Sequence, residues 1–360
     1  MSAAIATATT PRTTLDAQGN PTNLTPANLA RIMDILTGSW ERSTLETYSS
    51  GLLIYHVYCD DKGIDEEQRA LMSLVLAVSF VSMLAGAYSG STIRNYFYGV
   101  CAWHILHGIP WEMNEPEMEA LLKGAEKAAP ASSKRKKRVP YTLDFITAIK
   151  GQLDLSKPFD STVYACLTTT FYAAARLGEF VIPNLKSFNA ALHVKPSDIK
   201  HETDHNGLHS TVFHIPRTKA SIHGEDVSWS RQNSPTDPEV TLQYHLEINM
   251  PPPNSALFAY KYKNGHRPMT KPAFLKVLAT AAKSVGLEPR QGHGIRIGST
   301  LEYLLCGIPF EVVKVKGQWA SDAFLIYLTK HAQILAPYMQ AWPELHSKIT
   351  RLTMPHLRHT

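Results

Sequence analysis

Cysteine is scarce: Cys59, Cys101, Cys166 and Cys306 are the only four in 360 residues, and no two form a CxxC pair. That spacing offers no disulfide framework and no cysteine-held zinc site, and it fits a reducing intracellular compartment. Neither GxGxxG nor GxxxxGK(S/T) occurs, so no glycine-rich phosphate loop is present, and no internal repeat is found. One long uncharged run exists, Ala70 to Ile93. Its serines and glycines dilute it and GAYSGS reads as a turn, so a buried helix of about four turns followed by a loop is expected, not a membrane span. Residues 1–25 are rich in Ala, Thr, Pro and Asn. They hold little that packs and lack the apolar run of a secretory signal, so they read as a disordered tail.

The length suits two domains, and 44% hydrophobic residues supply two cores. Net charge is only +5, but from Ser255 to Thr360 there are 14 Lys+Arg against 5 Asp+Glu, +9, which leaves −4 on the rest. A basic C-terminal third suits a polyanionic partner, nucleic acid first, although a basic surface also serves solubility.

Residues 26–128 read as helices. Pro26–Leu36 comes first, then Ser43–Tyr58, opened by a capping box of Ser43 with Glu46 and carrying Leu45, Tyr48, Leu52, Tyr55 and Tyr58 at helical spacing. Leu71–Ala85 follows, then a helix capped by Ser91 that runs to His107 and stops at Gly108 and Pro110, and lastly Pro116–Ala128. Residues 129–140 form a linker with five consecutive cations, Lys134, Arg135, Lys136, Lys137 and Arg138. Such a run is ordinarily solvated; here it is expected to sit on phosphates, to act as a nuclear import signal, or both. Residues 141–350 read as α+β: helices over Leu143–Leu153 and Asp160–Phe180, and a strand-rich insert from Ala191 to Trp229 with strands at SDIK, STVFHIP and EDVSWS. Further helices are expected over Asp237–Ile248, Lys271–Val285, Ile295–Cys306, Pro309–Lys316, Ser321–Leu328 and Gln333–Lys348, and residues 351–360 are a tail. The fold class is therefore mainly α with one small antiparallel sheet, an all-α domain followed by an α+β domain.

Certain residues stand out in order along the second domain. Arg176 closes an apolar helix in AAARLGEF, an expensive place for a cation unless an anion meets it, and Glu179 lies three residues on. Lys219 sits at a turn between two strands; His293 and Arg296 share the first face of a helix that begins near Gly292; Trp319 and Tyr327 follow in KGQWASDAFLIYL. Each alone has a plain reading: an ion pair, a hairpin-tip lysine, helix capping, core aromatics. Together they supply what metal-free phosphodiester cleavage needs: a nucleophile, planar cations for the non-bridging oxygens, and a proton donor for the leaving oxygen. A rival cluster, His193, His201, His205, His209, His214 and His223, has metal-like spacing at 201, 205 and 209. Asn206-Gly207 breaks any regular helix there, so solvated loop and strand histidines are expected.

The ordered set Arg176, Glu179, Lys219, His293-x-x-Arg296, Trp319, Tyr327 resembles the active-site signature of the tyrosine recombinases. The likeness is strongest to eukaryotic crypton and DIRS-type transposon recombinases, which often read GRWxSDAFxxY where this chain reads GQWASDAFLIY from Gly317 to Tyr327. It covers residues 26–345 in layout, and only the catalytic motifs are specific. Many family members have His in place of Trp319, and Gln318 replaces a frequent basic residue.

The resemblance implies a helical core-binding domain and a catalytic domain that clamp double-stranded DNA at specific sites, with the basic linker crossing the backbone. It implies that Tyr327 attacks the scissile phosphate to form a 3′-phosphotyrosine, that Arg176, Arg296, His293 and Trp319 hold the phosphate, that Lys219 protonates the 5′-oxygen, with His293 assisting proton transfer at the tyrosine, and that Glu179 orients Arg176 or His293. It implies no cofactor, metal or ATP, and a tetramer on two duplexes that is a monomer or dimer when free. A nuclear location follows if the source is eukaryotic, otherwise a cytoplasmic one. The last helix, with Leu335, Met339, Trp342, Leu345 and Ile349, either docks on a neighbour or packs at home. The rival readings are a domesticated DNA-binding protein that no longer cuts and a type IB topoisomerase-like enzyme.

Overall fold

The computed structural model describes residues 20, 22–134, 137–218, 221–319 and 331–339. The chain forms two compact units that divide between Lys136 and Lys137. Most of the expected N-terminal tail, Arg135, Lys136, Lys219, Tyr327, the expected helix at 321–328 and the tail at 351–360 lie outside the described residues.

The first unit is helical: α1 (Pro26–Thr37), α2 (Arg42–Asp61), the single turn α3 (Glu66–Arg69), α4 (Leu74–Leu84), α5 (Gly90–His107) and α6 (Glu115–Lys127). Short polar side chains open most of them. The Ser73, Ser89 and Asn114 side chains each accept from a backbone N–H three residues on, at 3.2 Å, a cap worth about 1 kcal/mol apiece. Two expected starts are corrected. Ser89, not Ser91, caps α5, and α2 begins at Arg42 behind Glu41 with no side-chain cap. Ser43 is therefore inside α2, and Glu46 pairs with Arg42 at 3.3 Å instead of closing a capping box. The uncharged run yields an 11-residue helix, α4, because Ser73 caps it late. Among the described residues no helix is long and apolar enough to cross a membrane. Its inner face, Ala77, Phe80, Val81 and Leu84, is buried with Tyr55, Phe97 and Trp103. The α2–α5 crossing is tight: a Cβ on Gly51 would strike the Tyr96 backbone and one on Gly99 the Tyr48 backbone.

The second unit is built around α8 (Pro158–Tyr172), buried on every side from Ser161 to Tyr172. Around it are α7 (Leu143–Lys150), α9 (Leu177–Phe180), α10 (Pro238–Asn249), α11 (Lys271–Ser284), α12 (His293–Leu305), α13 (Phe310–Lys316) and α14 (His331–Met339). Strands β1 (Ile199–Thr203), β2 (His209–Ile215) and β3 (Glu225–Trp229) form an antiparallel meander, with Phe213 facing Ile199 and Val227. Its buried residues Phe213, Ile215, Val227 and Trp229 join the core of α8. A second sheet was not expected: β4 (Ala259–Tyr262) and β5 (Gly265–Pro268) form a hairpin across Lys263 and Asn264, with Lys263 at φ 53°.

The expected single helix over Asp160–Phe180 is two helices. Ala174 adopts φ 50° and breaks the chain between α8 and α9. Three alanines favour helix locally. Here they are wholly buried, and the Tyr303 hydroxyl donates to the Tyr172 carbonyl at 2.6 Å, so packing overrides propensity. A left-handed non-glycine residue costs about 1–2 kcal/mol, and its consequence is that Arg176 heads α9 instead of ending α8. In α14, Ile334 is buried with Leu301, Leu304 and Val313, and Leu335 is exposed; Trp342, Leu345 and Ile349 lie outside the described residues.

His245 makes the second unit sensitive to acid. It is fully buried, donates from Nε2 to the Leu257 carbonyl at 3.1 Å and accepts at Nδ1 from Asn249 at 3.1 Å. Burial pushes its pKa down from 6.5 to about 4. The unfolded chain therefore takes the proton first as pH falls. Stability is full above pH 6.5 and declines by about 3 kcal/mol toward pH 4. Melting temperatures measured from pH 7 to pH 4 are expected to show this loss, and to show less of it in His245→Gln.

Candidate active site

Arg176 is set by its own short helix. The Glu179 carboxylate, almost buried, accepts from the Arg176 backbone N–H at 2.8 Å and from its guanidinium at 2.9 Å. One carboxylate thus fixes both the helix start and the direction of the cation.

His293 and Arg296 are set by α12, whose cap is Gly292. Residues 139–141 run along its glycine face. The Tyr141 N–H donates to the Gly294 carbonyl at 2.9 Å, and a Cβ on Gly294 would strike the Val139 carbonyl, one on Gly298 the Tyr141 backbone. Gly294 and Gly298 are one helical turn apart on the same face. That groove seats the strap and brings Arg138, the last cation of the basic run, to the head of α12.

Arg138, Arg176, Lys271, His293 and Arg296 line one cavity of about 370 Å³, and among the described residues no Asp or Glu lines it. His293 is held below its ordinary pKa, first by burial and then by Arg138, Arg296, Arg176 and Lys271. Its imidazole is therefore neutral at pH 7, able to accept or pass a proton. Arg296 is only 3% exposed. It donates to the Gly317 carbonyl, and Trp319 covers its guanidinium at 4.3 Å from the ring centroid. The turn that achieves this needs Gly317, because the Trp319 ring folds back onto it, and places Gln318 at φ 54°. Lys316 and Gln318 anchor the turn to β3 by donating to the Ser228 and Asp226 carbonyls at 2.8 and 3.0 Å. Burial lowers the Lys316 amine to about 8.

No family model and no curated protein matches the chain in sequence. Solved structures do match. The XerH site-specific recombinase, in a post-cleavage complex with its palindromic difH substrate, aligns over 86% of this chain and 84% of its own, with 14% identity and a TM-score of 0.55. A lambda integrase dimer bound to a COC′ core site aligns over 83% and 93%, with 15% identity and a TM-score of 0.52. The chain has the tyrosine recombinase fold.

On that fold, five of the seven residues singled out from the sequence are described, and they form one contiguous set: Arg176, His293 and Arg296 on the cavity, Glu179 behind Arg176, Trp319 on Arg296. Lys219 and Tyr327 lie outside the described residues. Of the basic run, Lys134 and Lys137 are exposed and Arg138 is in the cavity. Lys271 was missed. A lysine at a helix start carries no signal by itself; the bridge that places it, Ile182 to Thr270, is a tertiary contact. The histidine cluster is dispersed on strands and turns: His201 faces Thr211 at 3.3 Å, His209 meets Thr203 at 2.8 Å and His214 meets Asp226 at 2.7 Å. Among the described residues no group of His, Cys, Asp and Glu could hold a metal ion.

Proposed function

We propose that this protein is a site-specific DNA recombinase or transposase that cuts and rejoins DNA through a 3′-phosphotyrosyl bond on Tyr327, without metal or ATP. The observation that carries the reading is the cavity itself. Arg176, His293 and Arg296, drawn from positions 120 apart in the chain, line one concave site in which, among the described residues, no carboxylate takes part. Glu179 pairs with Arg176 from behind, and the described lining otherwise leaves its cations facing the cavity, where a phosphodiester's charge would sit.

In this reading Arg176 and Arg296 grip the non-bridging oxygens, neutral His293 handles the proton of the tyrosine, and Trp319 holds the Arg296 plane and offers its indole N–H. Glu179 positions Arg176, and Lys219 is the acid for the 5′-oxygen. The first unit acts as a core-binding domain, and Lys134 to Lys137 follow the DNA backbone. The assembly would be a tetramer on two duplexes. GQWASDAFLIY supports placing the chain with the crypton and DIRS-type enzymes, and with KRKKR it supports a nuclear site of action.

The test is covalent trapping. Protein is incubated in EDTA with nicked duplexes carrying candidate element-end sequences, and SDS-resistant protein–DNA bands are sought. A band in EDTA is expected. Absence of any band from protein that demonstrably binds these duplexes would sink the reading.

A further inference from the structure

We propose that the cavity holds two consecutive backbone phosphates, the scissile one on Arg176 and Arg296 and its neighbour on Lys271 and Arg138; this deepens the DNA-cleaving reading and rests on it. The first argument is charge. Arg138, Arg176, Lys271 and Arg296 line the cavity, and the carboxylate paired with Arg176 is that of Glu179. With His293 neutral the described residues of the site carry a net charge of about +3, before Lys219 is added. One phosphodiester brings −1 and reaches −2 as the nucleophile adds, so two cations are left over before reaction and one during it. The next phosphate of the same strand lies one nucleotide away, a rise of about 3.4 Å along the helix axis. Two phosphates bring −2, and −3 during reaction, which balances the described cations as the charge develops.

The second argument is that both extra cations are fixed by backbone. The Ile182 N–H donates to the Met269 carbonyl at 3.1 Å and the Lys271 N–H donates to the Ile182 carbonyl at 2.8 Å. This parallel bridge fastens the first turn of α11 to the segment leaving α9, which carries Arg176. Arg138 is fixed from the other side by the strap seated on Gly294 and Gly298. Lys271 and Arg138 are both exposed, so they stand where the strand continues beyond the scissile phosphate. That four cations press on the His293 imidazole shows they share one field. Preorganised like charges of this kind are a cost to the fold that a polyanion removes.

The experiment measures binding of a fluorescein-labelled duplex between 50 and 200 mM NaCl by the full-length protein and its variants, each verified as folded by its thermal melt. Lys271→Gln is expected to lower the slope of log K against log salt by about one. Over that fourfold rise in salt its affinity then falls about 3.5-fold less than wild type's. Lys276→Gln, on the same helix but outside the cavity, is expected to leave the slope unchanged. Arg138→Gln with Lys271→Gln is expected to lose less affinity than the product of the single losses, because both grip one phosphate. A wild-type slope in Lys271→Gln, an equal fall in Lys276→Gln, or strictly multiplicative losses would each overturn the proposal. Arg176→Gln separates the two levels. If it lowers the slope and Lys271→Gln does not, only the second phosphate is lost; if Arg176→Gln also keeps the wild-type slope, the DNA-cleaving reading of the cavity falls with it.

Discussion

Tyr327→Phe is expected to give no SDS-resistant protein–DNA band under conditions where the wild type gives one, with duplex affinity unchanged. Phenylalanine keeps the aromatic body and removes only the phenolic oxygen, so the variant isolates the nucleophile. The prediction is sharpened because four other tyrosines of the second unit are committed. Tyr141 donates to the Arg290 carbonyl at 3.2 Å and Tyr303 to the Tyr172 carbonyl at 2.6 Å. Tyr172 shares a hydrogen bond with Thr236 at 2.7 Å, and Tyr164 bonds the Pro235 carbonyl at 3.4 Å. Burial pushes the hydroxyls of Tyr141, Tyr164 and Tyr303 well above the usual phenol range, and a hydroxyl that resists ionisation is a poor nucleophile. A band of wild-type intensity from Tyr327→Phe would assign the attack to another residue and remove the sequence order Trp319 to Tyr327 as its guide.

The parts of this fold that read well from sequence are those fixed by local chemistry. Thr142 and Thr270 sit just before helices and accept from the N–H three residues on, and Gly108 takes a left-handed conformation where α5 ends. The β-branched and aromatic residues of STVFHIP give a strand whose buried residues reach the core. The parts that read poorly are those fixed by contacts distant in sequence. Ala173 to Ala175 look like continuous helix, and only the buried surroundings of Tyr172 turn the chain there. The β4–β5 hairpin did carry a cue in Asn264-Gly265, but Lys261 and Lys263 break the alternation that would mark strands on either side.

The same division runs through the candidate site. An ordered set of residue types is legible because chemistry dictates it, so Arg176, His293-x-x-Arg296 and Trp319 could be singled out. How they are held was not legible. Gly294 and Gly298 look like ordinary helix-weakening residues until residues 139–141 are seen lying on them. Arg138 reads as one more solvated cation until that strap delivers it to the cavity. Trp319 reads as a core aromatic or an N–H donor until its ring is found against Arg296.

That contact makes Arg296→Lys the sharpest test of geometry against charge. Lysine keeps the positive charge, so if charge alone mattered most of the activity would survive. The arginine donates to the Gly317 carbonyl and lays a flat face against Trp319, and in the proposed function it has a third demand, further N–H groups for a phosphate. A guanidinium meets all three because its five donors lie in one rigid plane; an ammonium is a point charge with neither the plane nor the fork. Arg296→Lys is therefore expected to slow covalent-complex formation by about 10²–10³-fold, the usual effect of removing one preorganised donor from a site of developing charge. Because the side chain is buried, stability should also fall, by about 1–3 kcal/mol as the Gly317 carbonyl loses its partner. For a unit of this size that is a drop of roughly 2–4 °C in Tm per kcal/mol. Trp319→Phe retains a ring for the guanidinium and is expected to lose less than Arg296→Lys on both measures. A covalent-complex rate within about threefold of wild type in Arg296→Lys would mean, at under 1 kcal/mol of barrier, that the fork is not engaged with the phosphate, and that Arg296 serves only to fasten α13 and Trp319 to α12.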